Sequence, residues 1–82
     1  MTDESLLERI VIDPKVMVGK PIIRGTRLTV EYILQWLAHV DSSKEILSEY
    51  PGLTNDDIRA CLLFAQKTLE DITFSPHAVG AM

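Results

Sequence analysis

Lys20, Arg24 and Arg27 crowd into Gly-Lys-Pro-Ile-Ile-Arg-Gly-Thr-Arg-Leu-Thr, residues 19–29. Cations at that density meet carboxylates or phosphates through charge-assisted hydrogen bonds, and arginine does so with a planar, two-pronged donor set. Other chemistry is thinly represented. Val-Gly-Lys-Pro, residues 18–21, lacks the first glycine of a phosphate-binding loop and has proline where Ser or Thr would hold Mg²⁺. His39 and His77 lie far apart, with no Cys or His at metal-ligand spacing. Cys61 falls on an apolar helical stripe without a neighbouring base, which fits a packing thiol. Asp56 with Asp57, and Glu70 with Asp71, are adjacent in sequence. Helix neighbours point about 100° apart, so neither pair forms an acid–base couple. The expectation is a protein without a catalytic set, metal, cofactor or small-molecule substrate, and so not an enzyme.

The charge is unevenly spread. Net charge is −4. Residues 9–27 hold Arg9, Lys15, Lys20, Arg24 and Arg27 against Asp13 alone, which makes +4. Residues 1–8 hold three acids and no base, and residues 28–82 hold eight acids against three bases, giving −3 and −5. One basic segment on an acidic body can meet phosphate, an acidic partner surface, or the chain's own carboxylates.

The elements that position these cations can be read from pattern. The expected divisions are a lead-in over residues 1–8, one domain over 9–72 and a tail over 73–82. Ile10, Val11 and Ile12 precede Asp13-Pro14 and fit a first short strand ending in a turn. Two apolar runs then flank Arg24-Gly25 as a β-hairpin. Gly25 supplies the positive φ of its turn, and Pro21 sits at a strand start or edge. Thr29 caps a helix over residues 30–40, with Glu31 in its first turn and Val30, Ile33, Leu34 and Leu37 on its core face. Tyr32 and Trp36 lie on another face of that helix, where they either anchor a partner or lie beneath the hairpin.

A second helix starts at Ser42 or Ser43 and ends at Tyr50, with Ser42 and Glu45 at capping-box spacing and Ile46, Leu47 and Tyr50 on its apolar face. Pro51-Gly52 stops it. Thr54 caps a third helix that runs to about residue 69 or 71, with Ile58, Cys61, Leu62, Ala65 and Leu69 as its core stripe. Ala60, Leu63 and Phe64 widen that stripe beyond what a small monomer requires. The fold expected is mainly α: a small tri-helical, helix-turn-helix-like (homeodomain-like) bundle preceded by a short β-strand and a basic β-hairpin. In such a unit Asn55 and Arg59 are placed to read bases, although Asp56 and Asp57 at the same helix end would repel DNA.

At 82 residues the chain is near the lower size limit for an independent core, so self-association would help it bury surface. A lone cysteine, an acidic start and the lack of a long apolar run predict a cytoplasmic protein without a membrane segment.

Ile-Asp-Pro (12–14), the block 19–28, and Glu-Ile-Leu-Ser-Glu-Tyr-Pro-Gly-Leu-Thr (45–54) followed by Asp57-Ile58-Arg59-Ala60 resemble the domain-of-unknown-function 433 family. The resemblance covers roughly residues 9–70. It implies a helix-turn-helix-like domain with a short β-element, usually a homo-oligomer. It also implies a role as the antitoxin of a VapBC-like toxin–antitoxin pair, because many members are encoded beside a PIN-like nuclease. The matching motif residues are Gly19, Lys20, Pro21, Arg24, Gly25, Thr26 and Arg27, and no catalytic role comes with them. Thr26 can serve either a ligand or the hairpin itself.

The first expectation is therefore an antitoxin that forms a dimer, blocks the acidic metal site of a nuclease with Arg24 and Arg27, and binds operator DNA alone or with its partner. Lys20 would steer, and Tyr32, Trp36 and Phe64 would form a dimer or partner surface. The alternatives are a stand-alone DNA-binding transcriptional regulator and a non-enzymatic homo-oligomeric assembly module.

Overall fold

A computed structural model describes residues 2–70. They form four helices and a two-stranded sheet in the order α1 (Asp3–Leu7), β1 (Ile10–Val11), β2 (Ile22–Ile23), α2 (Val30–His39), α3 (Lys44–Glu49) and α4 (Asn55–Glu70). The mainly helical bundle behind a short β-element agrees with the pattern in the sequence. The expected tail, residues 73–82, lies outside the described residues.

Residues expected as a lead-in instead contain α1. Thr2 caps it, its side chain accepting the Ser5 N–H at 3.1 Å. Asp3 and Glu4 follow in the first turn, where the helix dipole favours negative charge. The helix packs against α4. The expected first strand is present and pairs antiparallel with β2, Ile10 opposite Ile23 and Val11 opposite Ile22. Ile12 has left the ladder and is exposed.

The basic hairpin is a tight loop rather than a pair of long strands. Its limbs meet at one bridge, Ile22 with Thr29, and Thr26 donates its backbone N–H to Ile23 O at 3.0 Å. Gly25 has φ +78° with open space where a Cβ would stand, so the position asks for glycine through its backbone angle alone. The ladder of β2 thus runs mainly to β1, and both isoleucines of β2 are buried.

Between the strands, Asp13 Oδ1 accepts the Lys15 N–H at 2.9 Å and starts a turn. A second, tighter turn follows at Met17–Gly19. Its three residues all have positive φ, 50°, 58° and 77°. For Met17 and the β-branched Val18 this left-handed conformation costs about 1–2 kcal/mol per residue.

Thr29 caps α2 as expected, accepting the Tyr32 N–H at 3.0 Å. The Ser42–Glu45 capping box does not form. Ser42 Oγ accepts the Lys44 N–H at 3.2 Å instead, and Ser43, the residue before α3, is helical and gives no side-chain cap. The reciprocal box occurs at α4: Asp57 N–H donates to Thr54 Oγ1 at 3.2 Å, and Thr54 N–H donates to Asp57 Oδ2 at 3.0 Å.

Ile23, Val30, Ile33, Ile46, Leu53, Ile58 and Cys61 form the core. Leu62 and Leu69, expected in the core stripe of α4, are about half exposed, whereas Ala60 is buried. Helix length accounts for Leu69. Sixteen residues carry α4 over ~24 Å and ten carry α2 over ~15 Å, so the last turns of α4 outrun their cover.

Candidate partner-binding site

Of the residues expected to bind, most are occupied by their own fold. Arg24 is exposed, yet its Nε and Nη2 both donate to Glu8 O, at 3.0 and 2.6 Å, and its backbone N–H donates to Arg9 O at 2.7 Å. It rivets the turn to the end of α1. Thr26 Oγ1 donates to Ile23 O at 2.8 Å and accepts the Leu28 N–H at 3.0 Å, which closes the loop. Lys20 Nζ lies 2.8 Å from Glu31 Oε1, and the ammonium holds that carboxyl below its ordinary pKa.

Arg27 differs. It is exposed and forms no side-chain hydrogen bond or ion pair among the described residues. It borders a shallow cavity of about 270 Å³ with Met17, Leu28, Thr29, Tyr32 and Tyr50. The structure therefore separates cations that look alike in sequence, and of Lys20, Arg24 and Arg27 it is Arg27 whose side chain has no partner among the described residues.

The two aromatics of α2 are joined by Tyr50, at the end of α3. Tyr32, Trp36 and Tyr50 form a triangle with ring centroids 6.0–6.3 Å apart and edge-on geometry. The Tyr32 and Tyr50 hydroxyls share a hydrogen bond of 2.9 Å, which pushes the Tyr50 pKa up. The rings are thus partly covered from within the chain, by one another through Tyr50 at the end of α3, while the hairpin residues Arg27 and Leu28 border a cavity with Tyr32 and Tyr50. Trp36 also lines an open apolar cavity of about 310 Å³ with Gln35, His39 and Val40. Phe64 lies elsewhere, in a groove between α2 and α4.

Asn55 and Arg59 stand at the start of α4. Arg59 Nη1 lies 3.4 Å from Asp56 Oδ1, one turn earlier on the same helix. Asp57 is buried and accepts from Arg9 Nη1 at 3.1 Å, while Arg9 Nη2 lies 3.8 Å from Asp56. This helix end is a knot of carboxylates and their partners, unlike the cationic N-terminus that a DNA groove attracts.

Sequence pattern missed Met17 and Tyr50 as parts of the open surface. Met17 sits in a turn that the sequence pattern does not announce, and helical spacing places Tyr50 only on the apolar face of α3. Their proximity to Arg27 and Tyr32 arises from tertiary packing, which no local spacing encodes. Cys61 is fully buried, and burial pushes its thiol up to about 12, with Asp57 adding to the shift. Among the described residues, no cluster of three or more His, Cys, Asp or Glu is placed to hold a metal ion, and no helix is long and apolar enough to cross a membrane.

A bundle of this shape, with its β-element and a cationic turn beside aromatic rings, defines a small surface-presenting domain. The chain belongs to the protein of unknown function (DUF433) family, whose model matches residues 10–65. The crystal structure of a DUF433 member protein from Anabaena variabilis superposes with a TM-score of 0.72 at 33% identity, over 82% of this chain and 66% of that one. The present chain thus spans about two thirds of that protein's length. An uncharacterized protein of Archaeoglobus fulgidus is 64% identical over 25 residues, which is 30% of this chain and 69% of that protein.

Proposed function

We propose that this domain is a protein-binding regulator, an antitoxin of the VapBC-like kind, which neutralises a PIN-like nuclease by presenting Arg27 to it. One observation carries this reading: Arg27 is an exposed arginine of the basic loop, forms no ion pair among the described residues, and lies beside Met17, Tyr32 and Tyr50. Arginine, methionine and aromatic residues are the types enriched in protein interfaces. A nuclease of this type builds its active site from carboxylates around a metal ion. A guanidinium entering such a site satisfies those carboxylates with paired N–H donors and competes with the metal for them.

The loop contributes shape more than charge. Arg24 and Thr26 hold its turn, and Lys20 is paired with Glu31, so Arg27 is displayed from a rigid base. The role is binding and not catalysis. Use of α4 as a DNA-reading helix has less support, because its first turn carries Asp56 and Asp57.

The test is growth of cells expressing the adjacent open reading frame with this chain or its variants. Arg27→Ala is expected to lose rescue from growth arrest while remaining folded. Arg24→Ala should lose rescue only as far as it loses folded protein. Full rescue by Arg27→Ala would remove Arg27 from the mechanism. A neighbour that does not arrest growth would remove the antitoxin reading itself.

A further inference from the structure

We propose that the face of α2 running from Arg27 to Val40 is the seat of an acidic amphipathic helix of a partner protein. Two shallow cavities meet on this face and share Tyr32 as a common wall. One lies beside Arg27 and Met17, the other beside Gln35, Trp36 and His39. Tyr32, Gln35, Trp36 and His39 fall at i, i+3, i+4 and i+7, so they form one stripe along the helix. From Thr29 to Val40 that stripe is ~16 Å long, which matches about three turns of a second helix.

Charge identifies the occupant. The chain holds twelve acids against eight bases, yet no Asp or Glu lines either cavity. Arg27 stands there exposed, without a side-chain partner among the described residues. An open guanidinium among Met17 and tyrosine rings, on a surface without a carboxylate of its own, fits a carboxylate that arrives from outside. Met17 is 43% exposed beside it and supplies an adaptable apolar contact. Farther along, the cavity walled by Trp36 and Val40 takes an aliphatic anchor.

Backbone chemistry selects a helix over a strand. α2 spends its N–H and C=O groups internally, so an extended segment on this face would leave its own groups unpaired. An amphipathic helix arrives with those groups satisfied and brings an apolar stripe with acids beside it. Single-stranded nucleic acid fits less well. One free arginine gives little hold on a phosphate chain, and Tyr32 and Tyr50 already pack edge-on against other rings. The proposal rests on the reading of Arg27 as a partner contact and not on the partner's being a nuclease.

Fluorescence anisotropy with the full chain tests it. The probe is a labelled synthetic helix of about 14 residues, with leucines at i, i+3, i+4 and i+7 and glutamates on its other faces. Its counterpart has lysine for every glutamate. In about 0.1 M salt the acidic helix is expected to bind at about 100 µM or tighter, and about tenfold tighter than the basic one. Arg27→Ala should remove most of that preference. Gln35 is exposed, so Gln35→Glu should weaken the acidic helix about threefold with an unchanged thermal midpoint, and Gln35→Lys should tighten it. Binding should also change the emission of Trp36, the chain's one tryptophan. Equal binding of the two helices, binding of neither, unweakened binding by Arg27→Ala, indifference to both Gln35 variants or unchanged Trp36 emission would each overturn the proposal. Tighter binding of an oligo-dT of about 15 nucleotides would overturn it in favour of nucleic acid. The growth assay fails separately: a harmless neighbour does not alter the preference for the acidic helix, and rescue by a chain without that preference overturns this proposal alone.

Discussion

The guanidinium of Arg9 lies 3.1 Å from the carboxylate of Asp57, 48 positions away in sequence. The same carboxylate accepts the Thr54 N–H, so one buried side chain caps α4 and ties the start of the domain to it. Asp57→Ala should remove both functions and leave Arg9 half-buried without its nearest acid. A cost of about 2–4 kcal/mol is expected, by urea unfolding. Asp57→Asn keeps an acceptor for the cap and should cost less.

Arg24 and Arg27 should differ in stability as they differ in surroundings. Arg24→Ala loses two donors to Glu8 O and should cost about 0.5–1.5 kcal/mol. Arg27→Ala should fall within about 0.5 kcal/mol of the parent. Equal losses in urea unfolding would contradict this division of roles.

Cys61 should give the protein an alkaline weakness. Its folded pKa is raised to about 12, so the unfolded chain gives up the thiol proton first as pH rises. The stability tied to this thiol is complete below about 9 and declines between about 9 and about 12. Cys61→Ala should flatten that part of the stability–pH curve, measured by unfolding at several pH values. Thiol reagents should modify the native protein far more slowly than the unfolded chain.

Gly25 should be replaceable only at the cost of its backbone angle. Nothing lies within 4 Å of an added Cβ, so Gly25→Ala should cost about 1–2 kcal/mol through φ alone. Gly25→Asn should cost less. A much larger loss in thermal unfolding would reveal a contact that the open space does not contain.

The helices were legible because their signals are local. Thr29 and Thr54 announce α2 and α4 through capping chemistry, and Ile33, Ile46 and Ile58 fall where helical spacing puts a core. Gly25 announces its turn for the same reason. The functions of the cations were not legible. Arg24 finds Glu8 and Lys20 finds Glu31 only after folding, so the three similar cations Lys20, Arg24 and Arg27 acquire different tasks. The α1 helix was missed because five residues carry too little periodicity to mark a helix, and packing against α4 decides the matter. The left-handed turn at Met17 and Val18 was hidden because it contradicts the local preference of its residues.

The Arg9–Asp57 contact also orders events in time. A ribosome adding about 5–20 residues per second makes Arg9 several seconds before Asp57. During that interval α1 has no α4 to lie on, and a helix of five residues does not persist alone. Helix α1, made before the α4 segment that it packs against, is therefore among the last elements to settle, and it stays accessible to chaperones and proteases until that segment has emerged.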